Sequence, residues 1–64
     1  MKVDTRKFII ALGNAKMTVH QLSTETGLAV ATISKIKNGQ RSARPDSLGK
    51  IAEALKVRVE DLVD

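Results

Sequence analysis

The sequence contains no cysteine, no tryptophan and no tyrosine. Without cysteine there is no disulfide and no thiolate metal site. A single histidine, His20, cannot build a metal centre by itself and reads as a solvated polar residue on a helix. Phe8 is the only aromatic residue. That argues against single-strand nucleic-acid binding, which stacks bases on aromatic platforms. No convincing hairpin dipeptide lies between alternating apolar runs, so strand signals are weak. No apolar run approaches the ~18 residues of a membrane span. The N-terminus also lacks the apolar segment of a signal peptide, so a cytoplasmic location is expected. A cysteine nucleophile, a second histidine, a partnered carboxylate pair and a phosphate-cradling glycine loop are all missing, so no enzyme, cofactor or metal is expected.

What remains is small, basic and helical. The chain has 64 residues, enough for one domain covering 1–64. A domain of this size buries only about 60% of its unfolded surface and depends on efficient helix packing. Eleven lysines and arginines against 7 acids leave a net charge of +4. The charge is unevenly spread. "KIKNGQRSAR" (35–44) carries Lys35, Lys37, Arg41 and Arg44 and no acid, whereas the closing "EDLVD" is acidic. A basic balance of this kind favours a polyanionic partner.

Helical periodicity comes in short pieces. A first helix is predicted over about 4–14, with Phe8, Ala11, Leu12 and Ala15 on one face, Asp4 or Thr5 as its cap, and Gly13-Asn14 as its end. Ile10 points off that face and is expected to be exposed. A second helix over about 19–26 opens on "TVHQ", a capping box of Thr18 and Gln21, with Met17 and Leu22 as a hydrophobic staple. Gly27 ends it in a left-handed conformation. A third helix is predicted over about 29–38, stopped by Gly39. "QRSAR" is a loop, and Pro45 opens a fourth helix with Leu48, Ile51, Ala52 and Leu55 inward and Asp46 near its positive end. A short fifth helix over about 59–63 completes a compact all-α bundle of five short helices.

Two short helices separated by a glycine turn form a helix-turn-helix, here at about 18–38, whose second helix can enter the DNA major groove. Projected at 100° per residue, Ala29, Ile33 and Ile36 lie on the inner side of the third helix, with Val30 at the edge. Ala31, Ser34, Lys35 and Asn38 fall outward and Thr32 on the other flank. This outer face is small, hydrogen-bonding and free of acids, and suits a groove about 12 Å wide. An ordinary solvated polar face would have the same periodicity.

"MTVHQLSTETGLAVATISKIKNG…LGKIAEALKVRVEDL" resembles the Cro/phage-repressor family, also called the XRE type. The family's usual run is approximately L-T-Q-x-x-L-A-x-x-x-G-V-S-x-x-x-I-S-x-x-E-x-G, followed by L-x-K-I-A-x-A-L-x-V-x-x-x-x-L. Leu22, Gly27, Ile33, Ser34, Gly39, Leu48, Lys50, Ile51, Ala52, Ala54, Leu55, Val57 and Leu62 match it in register without a gap. The resemblance spans about residues 8–62. It implies a lambda-repressor-like fold and sequence-specific binding of double-stranded DNA by a bacterial or phage transcriptional regulator, in the first place a repressor, acting at the nucleoid. It implies no small-molecule ligand. It further implies a homodimer on a near-palindromic operator, with Val57, Val59, Leu62 and Val63 as candidates for the dimer surface. The family also includes activators and antitoxins; the alternative readings are an antitoxin or protein-interaction module using the same fold, or the N-terminal DNA-binding fragment of a longer repressor.

Transferred position by position, the resemblance gives Val30, Ala31, Ser34 and Lys35 as base-contacting residues. Thr18, Thr32, Asn38, Arg41 and Arg44 become phosphate-contacting residues. Several positions depart from the family. Val19 replaces a glutamine whose amide helps hold a phosphate. Ala29 replaces the serine that caps the third helix. Ala43 stands where relatives carry the loop proline. Many members also pair an arginine at the position of Leu12 with a glutamate at that of Lys37. Here both are gone, and Lys37 is expected to lay its stem along Leu12 and extend its ammonium outward.

Overall fold

The computed structural model describes residues 1–63. Four α-helices follow in order: α1 (Thr5–Ala15), α2 (Val19–Thr26), α3 (Val30–Lys37) and α4 (Pro45–Leu55). The all-α class stands, but the fifth helix does not. The chain makes only a 3₁₀ turn over Val59–Asp61. Three residues are too few to repay nucleation of an α-helix, and Val57, Val59 and Val63 add β-branched side chains that favour extended backbone. Val63 accordingly forms an isolated antiparallel bridge with Val3, so the two ends of the described chain meet.

Every element contributes to one core. Phe8 from α1, Leu22 from α2, Ile33 and Ile36 from α3, Leu48 and Ile51 from α4, and Leu62 after the 3₁₀ turn are fully buried. Leu12, Ala15 and Met17 are partly buried against this cluster. α2 packs on both α3 and α4, and α1 does the same. The globule measures only 23 × 21 × 18 Å.

The local signals mostly operate as expected. The side chain of Asp4 accepts from the Lys7 N–H and caps α1. Pro45 is the first residue of α4, where its missing N–H leaves nothing unsatisfied. The end of α1 is different. The helix runs through Gly13 and Asn14 to Ala15, and Lys16 takes the left-handed conformation at φ 55°. Ala15 and Met17 flank Lys16 and pack on the core. Their burial offsets the roughly 1–2 kcal/mol that a non-glycine residue loses in that conformation.

Gly27 does adopt the expected left-handed conformation, at φ 77°, and no atom lies within 4 Å of where a Cβ would stand. Substitution there therefore strains the backbone without a clash. Gly27→Ala is expected to destabilise the fold by about 1–2 kcal/mol, lowering the thermal midpoint by roughly 4–8 °C per kcal/mol. Thermal unfolding followed by circular dichroism checks this. An unchanged midpoint would mean that the turn relaxes to another conformation.

Candidate nucleic-acid interface

The interface is built outward from the turn between α2 and α3. At the start of α2 the capping box closes both ways. Thr18 N–H donates to Gln21 Oε1 at 2.8 Å, and Gln21 N–H donates to Thr18 Oγ1 at 3.1 Å. At its end Gly27 reverses the chain. Two hydroxyls then fix the angle at which α3 departs. Ser23 Oγ donates to the Leu28 carbonyl at 2.6 Å. The buried Thr26 Oγ1 donates to the Leu22 carbonyl at 2.8 Å and accepts from the Leu28 N–H at 3.2 Å. Sequence reasoning missed both residues. The available signal was a pair of hydroxyls in the last turn of a helix before glycine, where such side chains bond nearby backbone.

α3 has two faces. Ile33 and Ile36 are buried, as the helical projection requires. Ala29 is exposed rather than inward. It is the N-cap, with extended backbone at φ −64° and ψ 145°, so the 100° projection does not apply to it. It makes no side-chain cap hydrogen bond, since alanine has no side-chain acceptor. Ala31 and Lys35 project into solvent on the opposite side, and Val30, Thr32 and Ser34 are half-buried beside them. Asn38 is exposed as the C-cap, and its N–H returns to the Ser34 carbonyl at 3.0 Å.

The far end of α3 is held from two directions. Thr5 Oγ1, at the start of α1, donates to the Lys37 carbonyl at 2.7 Å. This satisfies one of the carbonyls that a helix end leaves open. Gly39 follows at φ 74°, and the Gln40 N–H closes onto the Lys35 carbonyl at 2.9 Å. Lys37 is half-buried and has no carboxylate partner among the described residues. Leu12 is half-buried against the core.

Arg41 and Arg44 are exposed on the loop after α3. With Thr32 they line an open depression between α3 and the start of α4, which Asp46 shares. No ion pair engages Lys35, Arg41 or Arg44 among the described residues. The structure thus brings together Val30, Ala31, Thr32, Ser34 and Lys35 on one helix, with Arg41 and Arg44 beside it. Thr18 stands apart, exposed at the N-terminus of α2.

The dimer candidates fare differently. Leu62 is fully buried and cannot be a surface residue, because the 3₁₀ turn and the Val3–Val63 bridge fold it into the core. Val63 is half-buried in that bridge, and Val57 and Val59 are half-buried against the core. The exposed large apolar side chains are Met1, Ile9 and Ile10, the last two 54% and 55% exposed on α1. Helical spacing puts Ile10 outside, as found, but does not single out Ile9.

Two short helices, a left-handed glycine between them and a second helix with one buried and one open face define a helix-turn-helix protein. The helix-turn-helix family model matches residues 10–62, and the chain belongs to that family. It is similar to the HTH-type transcriptional repressor RghR of Bacillus subtilis (strain 168), with 47% identity over 49 residues, 75% of this chain and 36% of that protein. It is equally similar, at 47% over 49 residues, to the uncharacterized HTH-type transcriptional regulator RghRB of the same organism, of which 35% is covered. The chain spans about a third of the length of these curated relatives. No solved structure matches it significantly. No helix among the described residues is long and apolar enough to cross a membrane.

Proposed function

We propose that this chain binds double-stranded DNA sequence-specifically as a transcriptional regulator, acting as a repressor, with α3 in the major groove. The observation that carries the reading is the open face of α3, with small and basic side chains on a helix whose orientation is fixed at both ends. Membership of the helix-turn-helix family and the name of the relative RghR support it.

The roles follow from groove chemistry. Val30 and Ala31 offer small apolar surface to a thymine methyl, and Ser34 and Lys35 offer donors to base edges, Lys35 to guanine O6 and N7. Arg41 and Arg44 flank the helix as phosphate contacts, with Thr18, Thr32 and Asn38 as weaker ones. Val19 has no amide to offer, so the contact at the start of α2 falls to backbone N–H groups and Thr18.

Size argues for two copies per site. A globule at most 23 Å across covers one half-site, while successive major-groove faces lie about 34 Å apart. A near-palindromic operator read by a homodimer satisfies both. With Leu62 inside the core and Val57, Val59 and Val63 half-buried against it, Ile9 and Ile10 on α1 offer such a contact more exposed apolar surface than the valines do. Ultracentrifugation with and without DNA tests the dimer.

Selection of binding sites from random duplexes tests the reading as a whole. A recovered consensus with two-fold symmetry is expected. If the outer face of α3 instead binds protein, as in an antitoxin, no consensus emerges and random duplex causes no salt-dependent shift. Arg41→Ala should weaken binding to all duplexes alike and reduce the slope of log K against log salt by roughly 0.9. Titrations across a salt series measure this, and an unchanged affinity at low salt would remove Arg41 from the phosphate contacts.

A further inference from the structure

The loop that carries Arg41 and Arg44 has few anchors of its own. The last backbone bond closing α3 is from Gln40, and the first bond of α4 is accepted by the Arg44 carbonyl from Leu48 at 2.9 Å. Between these, among the described residues, backbone hydrogen bonds reach the loop only at Ala43, and both come from Met1. The Ala43 N–H donates to the Met1 carbonyl at 2.8 Å. The Met1 nitrogen donates to the Ala43 carbonyl at 2.9 Å. Ala43 is thereby buried, while Arg41, Ser42 and Arg44 around it are exposed.

An anchor works only if it is itself held, and this one is. Two residues on, Val3 is 6% exposed and bridges Val63. The Asp4 N–H then donates to the Leu62 carbonyl at 2.8 Å. Met1–Val3 is therefore a strap, fixed at one end to the closing segment of the fold and at the other to the loop after α3. A proline at position 43 would have no N–H to donate to such a strap.

We propose that residues 1–3 are a positioning element for DNA binding: they hold the loop at 41–44 so that Arg41 and Arg44 are presented together to the phosphate backbone beside α3. The inference rests on the DNA-binding reading. A flexible loop could also reach a phosphate, but each contact would then require ordering of the backbone as well as the side chain. The strap supplies that order before DNA arrives. The bond to the Met1 nitrogen asks only for an N–H at that point.

The test compares the intact chain with a variant in which Met1-Lys2 is replaced by Met alone, which shortens the strap by one residue while keeping Val3 and Asp4. Lys2→Ala controls for the lost charge, and circular dichroism for the fold. The probe is a short random-sequence duplex titrated over a salt series. The shortened strap should lower the salt slope by roughly 0.9 for each phosphate that is no longer neutralised, up to the value of the Arg41→Ala/Arg44→Ala double variant. In that double-variant background, shortening should change nothing further, because both act through the same phosphates. A general loss of stability would leave the slope intact and add to the arginine effect, and either outcome overturns the proposal.

A second readout needs no variant. In the intact chain the Ala43 amide should exchange slowly and those of Arg41 and Ser42 rapidly, and equal rates across the three overturn the strap. If the intact chain shifts no duplex at all, the DNA-binding reading fails and this inference with it. If it binds and is indifferent to the strap, this inference alone fails.

Discussion

Leu22→Ala is expected to remove most of the stability of the fold. Leu22 is fully buried at the centre of α2, and α2, like α1, packs on both α3 and α4. Truncating a buried leucine to alanine costs about 2–5 kcal/mol, depending on how far the neighbours collapse into the space. A single core in a chain of this size rarely supplies more than about 3–5 kcal/mol in total. With no cysteine, and no cluster of metal-ligating side chains among the described residues, to make up the difference, the loss is of the same order as the whole stability. Chemical denaturation followed by helical circular dichroism reads the effect, and the variant should begin with a reduced helical signal. Ile10→Ala is the matched comparison, because Ile10 is 55% exposed and a surface substitution usually stays within about 0.5 kcal/mol. Equal effects from the two variants would mean that the core is not where the burial puts it.

If Lys35 reads a base edge as proposed, Lys35→Ala is expected to lower affinity for the preferred duplex by about 1–3 kcal/mol, roughly five- to 160-fold, and to relax the preference at one base pair. Stability should not change, since Lys35 is exposed on α3 and alanine is the better helix former. The backbone there is already tied down, because the Lys35 carbonyl accepts from the Gln40 N–H. Only the ammonium and its stem are removed. The contrast with Arg41→Ala is diagnostic. A base contact changes which sequence is preferred, whereas a phosphate contact changes affinity for every sequence and the salt slope with it. Competition between the selected consensus and single-base variants separates the two. If Lys35→Ala weakened all competitors equally, Lys35 would belong with the phosphate contacts.

Much of this candidate interface is legible before any coordinates, for local reasons. Thr18 and Gln21 meet three residues apart whatever the rest of the chain does, Gly27 tolerates a positive φ that other residues resist, and Pro45 suits the first turn of a helix. The register of Ile33 and Ile36 separates the inner from the outer face of α3 by helical geometry alone. Legibility fails where a residue's place depends on partners distant in sequence. Leu62 looks like an apolar residue near a chain end, but the bridge between Val3 and Val63 turns it inward. Ala29 looks inward on a projection, but the helix begins after it. α1 passes its glycine because Ala15 and Met17 find core to pack against beyond it.

The sequence by itself determined that this protein is a small, basic, all-helical domain with a helix-turn-helix, because spacing, capping and turn chemistry act over three or four residues and are written into the order of the side chains. The tertiary structure alone decided what lies on the surface near the end of the chain, how the hydroxyls of Ser23 and Thr26 lock the turn, and how Thr5 closes the far end of α3. It also decided that Met1 pairs with Ala43, 42 residues away. Backbone N–H and C=O groups are the same at every residue, so no pattern of side chains announces which of them will meet across the fold.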